Sequence, residues 1–217
     1  MSNILAVKGE LKSSEFSINK NGSIVTKKYD NDTSSLLVQN IYNFLASENL
    51  TLNDLCQIIV SSGPGSFTAI RAIMSMAKCF DSVFNIPVKV VSLFDLFEKK
   101  YENEIQNKNI CIIVNGNLPD EVFMKKIYTN GCFSYSVISI GDVSVNISDV
   151  DYVFSSVCIQ EKFEYIFDIE ILDTSSLLAL SDCLMLNKCL KTEKIEPFYF
   201  KDIYEDKTKT ISKHRNY

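Results

Sequence analysis

Ser61-Ser62-Gly63-Pro64-Gly65-Ser66-Phe67-Thr68-Ala69-Ile70-Arg71 lies between an apolar run, Cys56 to Val60, and a helical pattern that continues to about Phe84. A buried strand, a tight turn and a helix start in that order make a βα unit. Gly63 and Gly65 permit backbone angles that other residues resist, and Pro64 fixes its own φ between them. Ser66 or Thr68 is placed to cap the new helix through its side-chain oxygen. Two phosphate-binding loops are excluded. A P-loop needs Lys followed by Ser or Thr, and Ala69 to Met74 offers only Arg71. A dinucleotide fingerprint needs a third glycine and a later acid at spacings absent here.

Upstream of the turn, Ile4 to Val7 reads as a short buried strand. Glu15 to Ile18 and Ser23 to Lys27 alternate about Asn21-Gly22, which predicts a hairpin. Leu36, Leu37, Ile41, Phe44 and Leu45 recur at helical intervals, with Thr33, Ser34 or Ser35 as candidate caps. Downstream, Val88 to Val91 predicts a strand and Leu93 to Tyr101 a helix. The polar stretch Glu98 to Gln106 marks a boundary, which divides the chain into an N-terminal lobe, 1–106, and a smaller C-terminal lobe, 107–217. The second lobe restarts with the apolar strand Ile110 to Val114. A second hairpin follows about Asn130-Gly131, then a strand over Val153 to Val157 and a Leu-rich helix over Ser175 to Cys189. The order is mixed α/β, and the two halves echo each other.

The chain has 217 residues and is 46% hydrophobic, enough for a sizeable core. No apolar run approaches the ~20 residues that span a bilayer, and no signal-peptide pattern opens the chain, so a cytoplasmic protein is expected. Seven cysteines, an odd number without zinc-ligand spacing, read as free thiols. The single histidine, His214, sits in a polar tail, which argues against a Cys-His or Ser-His pair and against a histidine-ligated metal. A Ser-Lys pair or an all-carboxylate site stays open. The net charge of −5 argues against a main nucleic-acid surface. Lys207, Lys209, Lys213 and Arg215 form a modest basic tail, read as a solvated terminus.

The run Gly63-Pro64-Gly65-Ser66-Phe67-Thr68, with Arg71, Ala77 and Lys78 in register, resembles the TsaB (YeaZ) family. Leu52-Asn53-Asp54-Leu55 upstream and Asn85-Ile86-Pro87-Val88 downstream strengthen the likeness, which covers residues 1 to 100 well. Beyond them only Glu121-Val122-Phe123 and Pro197 to Lys201 match. The resemblance implies an actin-like, ribonuclease-H-like α/β fold in two lobes. It also implies a non-catalytic scaffold subunit in synthesis of threonylcarbamoyladenosine on tRNA, which binds and activates the enzyme TsaD. TsaE joins the larger complex, and tRNA is met only indirectly.

Family members pack two early helices on TsaD. Carried onto this chain, that seam uses Leu37, Ile41 and Phe44 of the first helix. From the second it uses Phe67, Ile70, Arg71, Ile73, Met74, Ala77 and Lys78. Gly63, Pro64, Gly65, Ser66 and Thr68 form the motif turn. Relatives tend to have small residues where this chain has Ala69, Ile73, Ser75 and Cys79. They also commonly keep Asp-Thr-Ser at the end of the first strand, where this chain has Lys8-Gly9-Glu10. A Lys cannot hold magnesium there, so no catalytic residue, cofactor or metal is expected. Asn115-Gly116-Asn117 stands where relatives often have Asp-Ala-Arg. The competing readings are an independent ATPase, kinase or peptidase of the same fold, and a homodimeric structural protein.

Overall fold

In the computed structural model, which describes residues 3–9, 13–30, 35–64, 66–103, 105–116, 118, 120–155, 170–173, 184, 194–196 and 211–214, the chain forms two compact units. The first comprises Met1–Lys100 with Ala179–Phe198, and the second Tyr101–Leu178 with Tyr199–Tyr217. The first unit thus takes in a segment from beyond the boundary read near Asn107.

In the first unit, β1 (Asn3–Gly9) pairs antiparallel with β2 (Ser13–Lys20), and β2 with β3 (Ser23–Asp30). Asn21 and Gly22 join β2 to β3 with φ of 54° and 93°, the left-handed pair that a two-residue hairpin requires. After α1 (Leu37–Ser47) the chain returns as β4 (Leu55–Gly63), parallel to β1. It crosses again through α2 (Phe67–Ser82) to β5 (Val88–Ser92), parallel to β4, and continues into α3 (Leu93–Lys100). The strand order is β3-β2-β1-β4-β5. Side chains of β1, β2 and β4 meet α1 and α2 in one core that includes Leu5, Val7, Phe16, Ile18, Ile58 and Val60.

The second unit repeats the plan. Strands β6 (Ile110–Asn115), β7 (Glu121–Ile127) and β8 (Cys132–Ser139) form an antiparallel meander. A short α4 (Val143–Asn146) leads to β9 (Tyr152–Ser155), parallel to β6, and β10 (Glu170–Asp173) adds parallel to β9. The sheet order is β10-β9-β6-β7-β8-β11. Without β11 this is the first sheet's order, so the echo between the halves is a shared topology.

Three expectations need correction. Leu36, not a Ser or Thr, takes the cap position of α1, and no side chain caps it; Thr33 and Ser34 lie outside the described residues. Of the basic tail, Lys207, Lys209 and Arg215 lie outside the described residues, and Lys213 falls in a strand that the sequence did not predict. Ile211–His214 form β11, antiparallel to β8, because the edge of β8 offers backbone partners to a late segment. The third lies in α1 and α2, where most of the predicted seam residues are buried. The Leu-rich helix predicted over Ser175 to Cys189 lies outside the described residues except Leu184, which is helical and buried.

A polar clamp holds one end of the second sheet. Lys126 Nζ lies 2.5 Å from Asp149 Oδ1, and the Tyr128 hydroxyl donates to Asp149 Oδ2 at 3.0 Å. Nearby, the Asn109 backbone N–H donates to Asp151 Oδ2 at 2.7 Å, and Asn109 Oδ1 accepts from the Thr129 N–H at 2.9 Å. Partial burial pushes the Asp149 carboxyl up, but the bonds from Lys126 and Tyr128 outweigh it and hold the group below the usual carboxylate range. A depressed folded value means that the stabilisation is present above the unfolded pKa of ~3.9 and is lost as pH falls through the folded value. Asp149→Asn is therefore expected to flatten the acid limb of the stability curve. Asp149 is 48% exposed, so solvent screening limits the effect to about 1 kcal/mol or less. Thermal melts of both proteins between neutral and strongly acid pH check it. Behind the clamp, burial pushes the Cys111 thiol far up, so it packs as a neutral hydrophobe.

Candidate partner interface

The motif turn makes a sharp exit from the sheet. Gly63 has φ 111°, which a side chain would resist, and its N–H donates to Ser61 Oγ at 3.3 Å. The Gly63–Pro64 peptide is cis, and Pro64 is buried. Ser66 occupies the N-cap of α2, and its hydroxyl accepts from the Ala69 N–H at 3.5 Å. Thr68, the other predicted cap, is exposed inside the first turn. Gly65 lies outside the described residues.

Both helices place most of the predicted seam inside the chain. Leu37, Ile41 and Phe44 on α1, and Ile70, Ile73, Met74 and Ala77 on α2, are each 5% exposed or less and belong to the first unit's core. Only Phe67, Arg71 and Lys78 of the predicted set reach the surface. The reason is the breadth of α2's contact. It packs on β1, β4, β5 and α1, so its apolar residues, which occupy most of its circumference, form one wide inner face. Met76 and Phe80 join that face, whereas Phe84 is exposed beyond the helix end.

What remains outside is distinctive. The outer positions of α2 carry Thr68, Arg71, Ser75, Lys78, Cys79, Asp81 and Ser82. The Arg71 guanidinium lies 4.6 Å from the centroid of the Phe67 ring, which braces that half-exposed aromatic from its own helix. Helix α1 has no charged residue between Leu37 and Ser47. Its outer face carries Val38 and Tyr42, one turn apart and 43% and 44% exposed, with Gln39, Asn43 and Ala46 beside them. A helix facing only water usually carries charge on its outer side. Interface cores, in contrast, are depleted of charge and enriched in aromatics. Val38 and Tyr42 lie opposite the apolar stripe that dominates the helix's sequence pattern. The missing charge opposite that stripe was the available signal.

The end of β1 carries Lys8 and Gly9, both half-buried, and Glu10 lies outside the described residues. In the second unit, Glu121 opens β7 half-buried, and its carbonyl accepts from the Gly116 N–H at 2.8 Å. Among the described residues, no group of three His, Cys, Asp or Glu side chains is placed to hold a metal ion. No helix among them is long and apolar enough to cross a membrane.

Two sheets of this topology define the class, an actin-like α/β protein. YeaZ from Pseudomonas aeruginosa matches with a TM-score of 0.64 at 19% identity, covering 92% of this chain and 100% of that one. A Bacteroides thetaiotaomicron protein with actin-like ATPase fold matches with a TM-score of 0.52 at 9% identity, covering 83% of this chain and 96% of that one. These likenesses concern the fold. At the level of sequence, residues 9–127, more than half of the chain, match the family described as "TsaD: tRNA N6-adenosine threonylcarbamoyltransferase", and the chain belongs to that family. It is also similar to the tRNA threonylcarbamoyladenosine biosynthesis protein TsaB of Buchnera aphidicola subsp. Schizaphis graminum, with 30% identity over 78 residues. That match spans 36% of this chain and 37% of the relative's length.

Proposed function

We propose that this chain is a non-catalytic partner subunit in tRNA threonylcarbamoyladenosine biosynthesis. It acts in the cytoplasm by binding the TsaD enzyme through the outer faces of α1 and α2 and ordering that enzyme for threonylcarbamoyl transfer. The observation that carries this reading is the uncharged outer face of α1, with Val38 and Tyr42 exposed on it. Family membership and the likeness to TsaB favour TsaD as the partner. Lys8 in place of a carboxylate at the end of β1 supports a role without metal-assisted chemistry. The net charge of −5 fits a subunit that leaves tRNA to its partners, with TsaE joining the larger complex.

The test is co-purification and titration with the TsaD of the same cell, using Val38→Asp and Tyr42→Asp. A carboxylate forced into a desolvated contact is expected to cost about 2 kcal/mol or more of binding, roughly thirtyfold in affinity. Both positions are solvated in the free chain, so its stability should change by only about 0.5 kcal/mol. Full binding by both variants would remove α1 from the interface. A wild-type chain that only self-associates would favour the homodimer instead.

A further inference from the structure

Gly9 closes β1, and space, not backbone torsion, demands a glycine there. Its φ lies outside the left-handed region, yet a Cβ built on it would lie 2.8 Å from Ile73 Cδ1 and 3.2 Å from Ala69 Cβ. Both neighbours are on α2. Ile73 is 1% exposed and part of the packed core, so its terminal methyl can yield only by turning about χ2 against buried neighbours. The strand end and the helix are therefore matched in size. The missing side chain at position 9 makes the room that the isoleucine fills. Ile73 is also flanked along α2 by Arg71 and Ser75, which face outward. A helix moves as a rigid rod over such short distances, so a lift at Ile73 displaces those outer residues as well.

We propose that the Gly9–Ile73 contact sets how deeply α2 seats on β1, and thereby positions the helix's outer face for its partner. The second half of this inference rests on the function proposed above. Gly9→Ala sets two effects against each other. Restricting the unfolded chain favours alanine slightly, but displacing a packed methyl costs more. The melting midpoint is therefore expected to fall by about 2–6 °C. Ile73→Val deletes Cδ1, the atom at 2.8 Å, and leaves Cγ1 at 3.6 Å, an ordinary contact. Placed on the Gly9→Ala background, it should restore part of the loss, since the 3.2 Å approach to Ala69 Cβ remains.

The experiment is a double-mutant cycle on the full chain: wild type, Gly9→Ala, Ile73→Val and the double variant. Each is melted alone, then titrated with the TsaD of the same cell at a temperature where all four are folded. Gly9→Ala is expected to weaken binding about tenfold, and the double variant to recover part of it. Additive effects in melting, or no effect of Gly9→Ala, would overturn the contact. Coupling in melting with unchanged binding would overturn the positioning role. If wild type does not bind, the function proposed above falls instead, and the melting cycle still judges the contact.

Discussion

Phe44→Ala is expected to destabilise the first unit by about 3–5 kcal/mol, the cost of removing a large buried aromatic and leaving a cavity. Phe44 is fully buried, and its ring stacks on Phe16 at 5.9 Å between centroids. Phe16 in turn meets Tyr29 edge-on at 5.3 Å, so the deletion opens a gap between α1 and two strands. A domain of ordinary stability has only about 5–15 kcal/mol in total. Urea unfolding followed by circular dichroism should therefore show a large shift in midpoint. Two residues earlier, Tyr42→Ala should leave that curve almost unchanged, within about 0.5 kcal/mol, because Tyr42 lies outside the core. The pair separates core from contact on a single helix. A stable Phe44→Ala that had lost only partner binding would return Phe44 to the interface.

Gly116→Ala carries the second large effect. A Cβ at Gly116 would lie 2.5 Å from the Glu121 carbonyl oxygen and 2.6 Å from its carbon. Those atoms belong to backbone, and no rotamer change relieves the clash. Relief requires β7 to move away from the end of β6, which breaks the 2.8 Å bond from the Gly116 N–H to the same oxygen. We expect a loss of about 3 kcal/mol or more, at the upper end of overpacking costs. Leu118→Ala, in the same connection but 62% exposed, is the control and should be nearly neutral. Thermal melts of both variants decide it, and a Gly116→Ala protein of wild-type stability would refute the close approach. The geometry also accounts for a departure noted in the sequence. The resemblance would place alanine here, and this connection has no room for one.

Local signals were legible from the chain alone. Asn21-Gly22 marks a two-residue hairpin turn, which needs positive φ at both residues, and Asn130-Gly131 marks a longer loop between Ile127 and Cys132 in which Gly131 alone has it. The glycine-proline turn and the Ser66 cap were readable for the same reason: their chemistry is complete within a few residues. The partner face was not. In α2, apolar residues occupy so much of the circumference that periodicity cannot say which side meets the sheet. Its position across β1, β4 and β5 decides that, and it buried Ile70, Ile73, Met74 and Ala77. Strand β11 was hidden because Ile211–His214 has little apolar pattern and takes its place from a distant edge of β8.

Composition, the motif turn and the hairpins by themselves determined a mixed α/β chain with the family's βα unit, since these depend on backbone preference and short-range spacing. Tertiary structure alone decided which faces of α1 and α2 stay outside, that Gly9 makes room for Ile73, and that Gly116 lies against Glu121. Each of those depends on how closely segments far apart in the chain approach one another, and that distance is set by packing, not by local sequence.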